Sequence, residues 1–93
     1  MDNRQWYWVM AQLGHQGAGR SLDVDVYVWV KNPLEAMIKY RRMGGIKKHR
    51  MPNIFPLSSE KSHKLEIKIL EDGLSLEKAK RKWYTSSKEY RWW

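Results

Sequence analysis

Apolar and polar positions alternate without a break from Leu22 to Val30, with Leu22, Val24, Val26, Val28 and Val30 on one side and Asp23, Asp25, Tyr27 and Trp29 on the other. Period two over this length predicts a half-buried strand whose aliphatic side faces a core. The preceding Gln5 to Leu13 is also strand-like in composition. It places Trp6, Trp8 and Met10 on one side and Tyr7, Val9, Ala11 and Leu13 on the other, so both of its faces are apolar. Between them, Gly14-His15-Gln16-Gly17-Ala18-Gly19-Arg20-Ser21 is short and glycine-rich, which predicts an antiparallel hairpin.

Asn32-Pro33 reads as a helix N-cap followed by proline at the first helical position. The helix is expected to run to about Met43, with Glu35, Lys39 and Arg42 as a wet stripe and Leu34, Ala36, Met37, Ile38, Tyr40 and Met43 left for burial. Gly44-Gly45 would stop it. Ile46 to Glu60 contains Pro52 and Pro56 and reads as a loop with one extended piece at about Ile54 to Leu57. Lys64 to Leu70 alternates again, which predicts a third strand with Leu65, Ile67 and Ile69 inward. After a turn at Glu71-Asp72-Gly73, Ser75 can cap a second helix with Leu76, Ala79 and Trp83 as its apolar stripe. The order β-β-α-(β)-β-α predicts an α+β fold, a small, mostly antiparallel sheet of three or four strands with two helices on one face. Residues 1–93 are read as a single domain, since 93 residues close one modest core.

Charge narrows the function. The net charge is +8, and it is unevenly placed: residues 1–30 hold two basic and three acidic side chains, the remainder sixteen against seven. Lys39-Tyr40-Arg41-Arg42-Met43-Gly44-Gly45-Ile46-Lys47-Lys48-His49-Arg50 has six Lys or Arg, and no acid occurs between Glu35 and Glu60. Lys39, Arg41, Arg42, Lys47, Lys48 and Arg50 can straddle a phosphate backbone. Equally, basic residues at a helix C-terminus complement its dipole and keep a surface soluble. Lys80, Arg81 and Lys82 form an auxiliary basic patch, close in sequence to Tyr90, Trp92 and Trp93. Those aromatics can stack on bases, fold back onto the sheet or bury in a homodimer interface.

Other chemistry is thinner. With no cysteine, disulfides, thiol nucleophiles and Cys-type zinc sites are excluded. Gly14, Gly17 and Gly19 match neither the dinucleotide nor the P-loop spacing, and His15, His49 and His63 are far apart, so no metal or cofactor is expected. Asp23 and Asp25 share a solvated strand face. No nucleophile, base and orienter come together, so the chain is read as non-enzymatic. No apolar run is long enough to span a membrane and Met1-Asp2-Asn3-Arg4 begins no signal peptide, so a cytoplasmic protein is expected.

Ala11-Gln12-Leu13-Gly14-His15-Gln16-Gly17, Val24 to Val30, Glu35-Ala36 and Ile46-Lys47-Lys48-His49-Arg50 together resemble the small basic proteins of Firmicutes and their mobile elements that open with Cys-Gly-His-x-Gly. The resemblance covers about residues 6 to 60, with Leu13 where that pattern has Cys. It implies a bacterial or phage origin and an intracellular setting, and it carries over no activity. The expected function is a small nucleic-acid-binding module. The alternative is a protein-binding inhibitor or accessory factor of anti-defence type from a phage or mobile element.

Overall fold

A computed structural model describes residues 3–13, 22–43 and 52–86. The glycine-rich connector, Gly44-Gly45, Lys47, Lys48, Arg50, Tyr90, Trp92 and Trp93 lie outside the described residues.

The two strand-like segments form β1 (Gln5–Leu13) and β2 (Leu22–Val30), paired antiparallel with Val9 opposite Val26 and Trp8 opposite Tyr27. Asn32 then starts α1 (Pro33–Arg42): its side-chain oxygen accepts from the Glu35 backbone N–H at 2.9 Å, and proline occupies the first turn. The chain crosses the sheet through α1 to β3 (Asn53–Pro56), which adds antiparallel to the free side of β1. It returns across the sheet through α2 (Ser59–Glu71) and α3 (Leu76–Arg81) to β4 (Tyr84–Thr85), which adds to the free side of β2. The strand order is β3-β1-β2-β4. The protein is therefore an α+β domain built on a four-stranded antiparallel sheet.

The two crossings cover opposite faces, and here the expected layering is corrected. Val26, Val28 and Val30 share one face with Tyr7 and Val9, where Ala36 and Tyr40 of α1 and Met43, the residue that ends it, pack on them, and Val24 is buried on the same face. The other face carries Trp6, Tyr27 and Trp29 and is covered by Leu65 and Ile69 of α2, Ala79 of α3 and Tyr84. Three helices, not two, pack on the sheet, and they occupy both faces. The physical cause is visible in β1 and β2: their second faces carry aromatic residues, too apolar to leave to water.

Lys64–Leu70 is helical rather than a strand. Its period-two alternation is real, but only Leu65 and Ile69, spaced i and i+4, are buried, while Ile67 and Leu70 remain exposed. Ser58 caps α2 by accepting from the Lys61 N–H at 3.3 Å. The run of Lys, Glu and Leu favours helix. The same geometry corrects α1: Ala36, Tyr40 and Met43 form its buried stripe, with Met37 partly buried beside it, whereas Leu34 and Ile38 lie on the opposite, exposed side. Trp83 is not part of a helical stripe with Leu76 and Ala79. α3 ends at Arg81, and Trp83 lies in extended chain just before β4, where alternation sends it to the α1 face and Tyr84 to the other.

The end of α2 is a Schellman motif: the Leu74 N–H bonds the Ile69 carbonyl at 3.2 Å and the Gly73 N–H bonds that of Leu70 at 3.0 Å. Gly73 has φ +77°, and a Cβ there would meet no atom within 4 Å. Gly73→Ala is therefore expected to cost about 1 kcal/mol from backbone conformation alone, read as a lower urea midpoint with an unchanged slope. A loss above about 3 kcal/mol would mean that the side chain clashes instead.

Candidate functional site

The basic residues singled out in the sequence separate into two kinds. Arg41 and Arg42 are exposed on α1, and Arg81 and Lys82 are exposed at the end of α3. Lys39 and Lys80 are engaged internally. Lys39 Nζ donates to the carbonyls of Lys80 and Arg81 at 3.1 and 3.2 Å, capping the C-terminal end of α3 from α1. Burial, and the neighbouring Arg4 charge, hold the Lys39 ammonium below its ordinary pKa, against the opposing pull of Glu35. Lys80 Nζ stands 4.2 Å from the centre of the Trp29 ring and 3.7 Å from the Glu66 carboxylate. The same Glu66 oxygen accepts from Trp6 Nε1 at 2.9 Å, and Trp6 meets Trp29 edge-on at 5.4 Å. This closed network pins α2 and α3 to the second sheet face. The cleft of about 460 Å³ beside it, lined by Arg4, Lys39, Lys80 and Arg81, also carries Glu35 and Glu77, so its charge is mixed.

A second cleft, of about 370 Å³, has a predominantly basic wall facing an aromatic one. It runs between α2 and the aromatic face of the hairpin. One wall is Lys61, Lys64 and Lys68, which fall at i, i+3 and i+7 and so share one side of the helix. The opposite wall is Trp8, Asp25 and Tyr27, with Leu57 and Leu65 among the lining residues. Trp8 Nε1 donates to Asp25 Oδ1 at 2.8 Å, which fixes the indole relative to the carboxylate. Phe55, opposite Trp8 on β3, stacks obliquely on it at 5.5 Å and is itself about half exposed, as is Met10. Tyr27 packs on Tyr84 at 6.3 Å, and the Tyr84 hydroxyl donates to Asp72 at 2.6 Å. The cleft thus presents three ammonium groups and one carboxylate beside open aromatic surface.

This lysine row was hidden by the strand reading. In a strand, Lys64, Glu66 and Lys68 share a face and their charges partly cancel. In the helix, Glu66 turns toward Trp6 and Lys80, and the lysines remain together. The signal that would have found them is Ser58 as a helix cap followed by Lys61, Lys64 and Lys68 at helical spacing.

Burial, and secondarily the Asp25 charge, raise the Tyr27 phenol above its ordinary pKa. The folded chain then holds a proton that the unfolded chain releases near pH 10, so this residue contributes stability below that pH and loses it as pH rises. Lys39 acts in the opposite sense, gaining stability as pH rises toward the ordinary lysine value. Comparing Tyr27→Phe with the native protein cancels the Lys39 contribution. The native protein is expected to lose more of its urea midpoint than the variant between about pH 8 and about pH 11. Equal losses would mean that Tyr27 titrates normally.

Among the described residues, no three or more His, Asp or Glu side chains gather as a metal site, and no helix is long and apolar enough to cross a membrane. Comparison with protein-family models, curated proteins and solved structures returns no match.

Proposed function

We propose that the protein is a small, non-enzymatic nucleic-acid-binding module whose contact surface is the cleft between α2 and the hairpin. The observation that carries this reading is the juxtaposition of Lys61, Lys64 and Lys68 with Trp8 across one cleft. Charges meet phosphates while an aromatic ring offers a base a stacking surface. The exposed Arg41 and Arg42 and the net charge of +8 add a long-range attraction for the same polyanion. Lys47, Lys48 and Arg50, which lie outside the described residues, are further candidate phosphate contacts by their charge alone. A cytoplasmic setting in a bacterium or a mobile element fits the cysteine-free chain.

The test is fluorescence anisotropy of a labelled oligonucleotide titrated with protein at several salt concentrations. Binding is expected in the micromolar range at low salt, weakening steeply between about 50 and 200 mM. Binding that is absent at low salt overturns the reading.

A second reading, a protein-binding accessory factor, is favoured by one observation. Leu34 and Ile38 lie one turn apart on the outer side of α1, 69% and 44% exposed. It becomes the leading reading if no salt-sensitive nucleic-acid binding is found.

A further inference from the structure

We propose that the cleft takes one base of a single-stranded nucleic acid and selects a base with an exocyclic amine, cytosine over thymine or uracil, through Asp25. The inference rests on the nucleic-acid reading above and names what that site reads.

Three features of the cleft lead to it. First, its size of about 370 Å³ is at the lower end for small-molecule sites, enough for a group of nucleotide size. Second, stacking needs an open base face. In a duplex each base is covered by its neighbours and its Watson–Crick edge is paired, whereas a single strand exposes both. The lysine row suits the strand attached to such a base: Lys61 to Lys68 covers about 10 Å along the helix, which reaches more than one phosphate.

Third, the one acid among the described residues lining the cleft is placed to discriminate. Asp25 sits on the same sheet face as Tyr27 and diagonally across from Trp8. Its Oδ1 accepts from Trp8 Nε1, and no hydrogen bond to Oδ2 is made among the described residues. Asp25 is exposed and lines the cleft. A base stacked on Trp8 therefore meets a fixed acceptor at its edge. Cytosine presents its N4 amine as a donor, while thymine and uracil present the O4 acceptor at the equivalent position, which a carboxylate repels. The discrimination thus combines an attraction with a repulsion. The lysines supply affinity without regard to the base, and the carboxylate, although it opposes the phosphate charge, supplies the preference.

The experiment compares labelled oligo-dC and oligo-dT of roughly ten nucleotides by anisotropy at neutral pH and low salt. Both are pyrimidines, so stacking is similar and the edge contact decides. The native protein is expected to bind oligo-dC about ten-fold more tightly, the lower end of what one charge-assisted hydrogen bond contributes. In Asp25→Asn, the amide oxygen still accepts from Trp8 Nε1 while the amide nitrogen turns a donor toward the base, so the preference is expected to vanish or to pass to oligo-dT. Salt-sensitive binding of both oligonucleotides with equal affinity overturns this inference and leaves the nucleic-acid reading standing. A dC preference that survives Asp25→Asn assigns the selection elsewhere and also overturns it. If neither oligonucleotide binds, both readings fall together.

Discussion

Val26→Asp is expected to abolish cooperative folding. Val26 is fully buried on the α1 face and pairs on one side with Val9 and on the other with Thr85, themselves fully buried. A carboxylate at that position has neither a charge partner nor water, and an uncompensated buried charge costs several kcal/mol. A domain of this length has only about 5 to 14 kcal/mol to lose. Circular dichroism during a urea titration should show no folded baseline. The neighbouring Tyr27→Asp is expected to be damaging but survivable. Tyr27 packs against Tyr84 and the second core cluster, so truncating it removes aromatic contacts, yet it borders the open cleft, where a carboxylate reaches solvent and faces Lys61, Lys64 and Lys68. A cooperative transition with a lowered midpoint should therefore remain. If Val26→Asp unfolds cooperatively near the native midpoint, the aliphatic face of β2 is not the core of the domain. Equal collapse of both variants would mean that the cleft is closed to water.

Of the two long strands, β2 is legible because every second residue obeys one rule over nine positions, a pattern that no helix of that length reproduces, and β1 because of its β-favouring aromatic and branched composition beside a glycine-rich connector. The starts of α1 and α3 were legible for a different reason, since Asn32-Pro33 and Ser75 are chemical signals independent of periodicity. Lys64–Leu70 misled because six or seven residues cannot separate period two from period 3.6 when three aliphatics happen to alternate. Extending the window back to Ser58 resolves it, as the cap and the whole 13-residue helix come into view. The layering failed for a related reason. Asp23 and Asp25 mark their side of β2 as solvated, but Tyr27 and Trp29 on that same side carry enough apolar area to recruit a second layer. Once α2 is a helix on that face, the lysine row and the aromatic wall are brought together. The candidate site is thus a product of tertiary arrangement: Trp8 and Asp25 are 17 residues apart in the chain, and the lysines come from the far side of a crossover.

The sequence-level patch fared differently. Lys39 and Lys80 looked like solvated cations because sequence shows charge but not the neighbouring carbonyls and rings that hold it. Lys39 closes the end of α3, and Lys80 lies over Trp29 beside Glu66. Replacing either would disturb packing as well as any ligand contact, so neither is a clean probe of binding. The exposed lysines of α2 are.

Lys61→Gln, Lys64→Gln and Lys68→Gln combined are expected to weaken single-strand binding about a hundred-fold at 0.1 M salt. Each phosphate neutralised on a single strand contributes about 0.7 to the slope of log K against log salt, so three lost contacts flatten it by about two units. Extrapolated from a 1 M reference, two units amount to two decades at 0.1 M. The fold should be unaffected. All three side chains lie on the exposed part of α2. The one ion pair these lysines make among the described residues, Lys64 with Glu60 at 3.4 Å, is so exposed that such pairs contribute little, and glutamine keeps most of the helix propensity of lysine. A matched variant with Arg41→Gln and Arg42→Gln serves as the comparison. It removes two positive charges from α1, so it lowers the long-range attraction without touching the cleft. If the α2 variant flattens the slope by about two units and the α1 variant by much less, the cleft is the contact surface. If the order is reversed, the phosphate contacts lie along α1, and the lysine row of α2 is a solvated helix face.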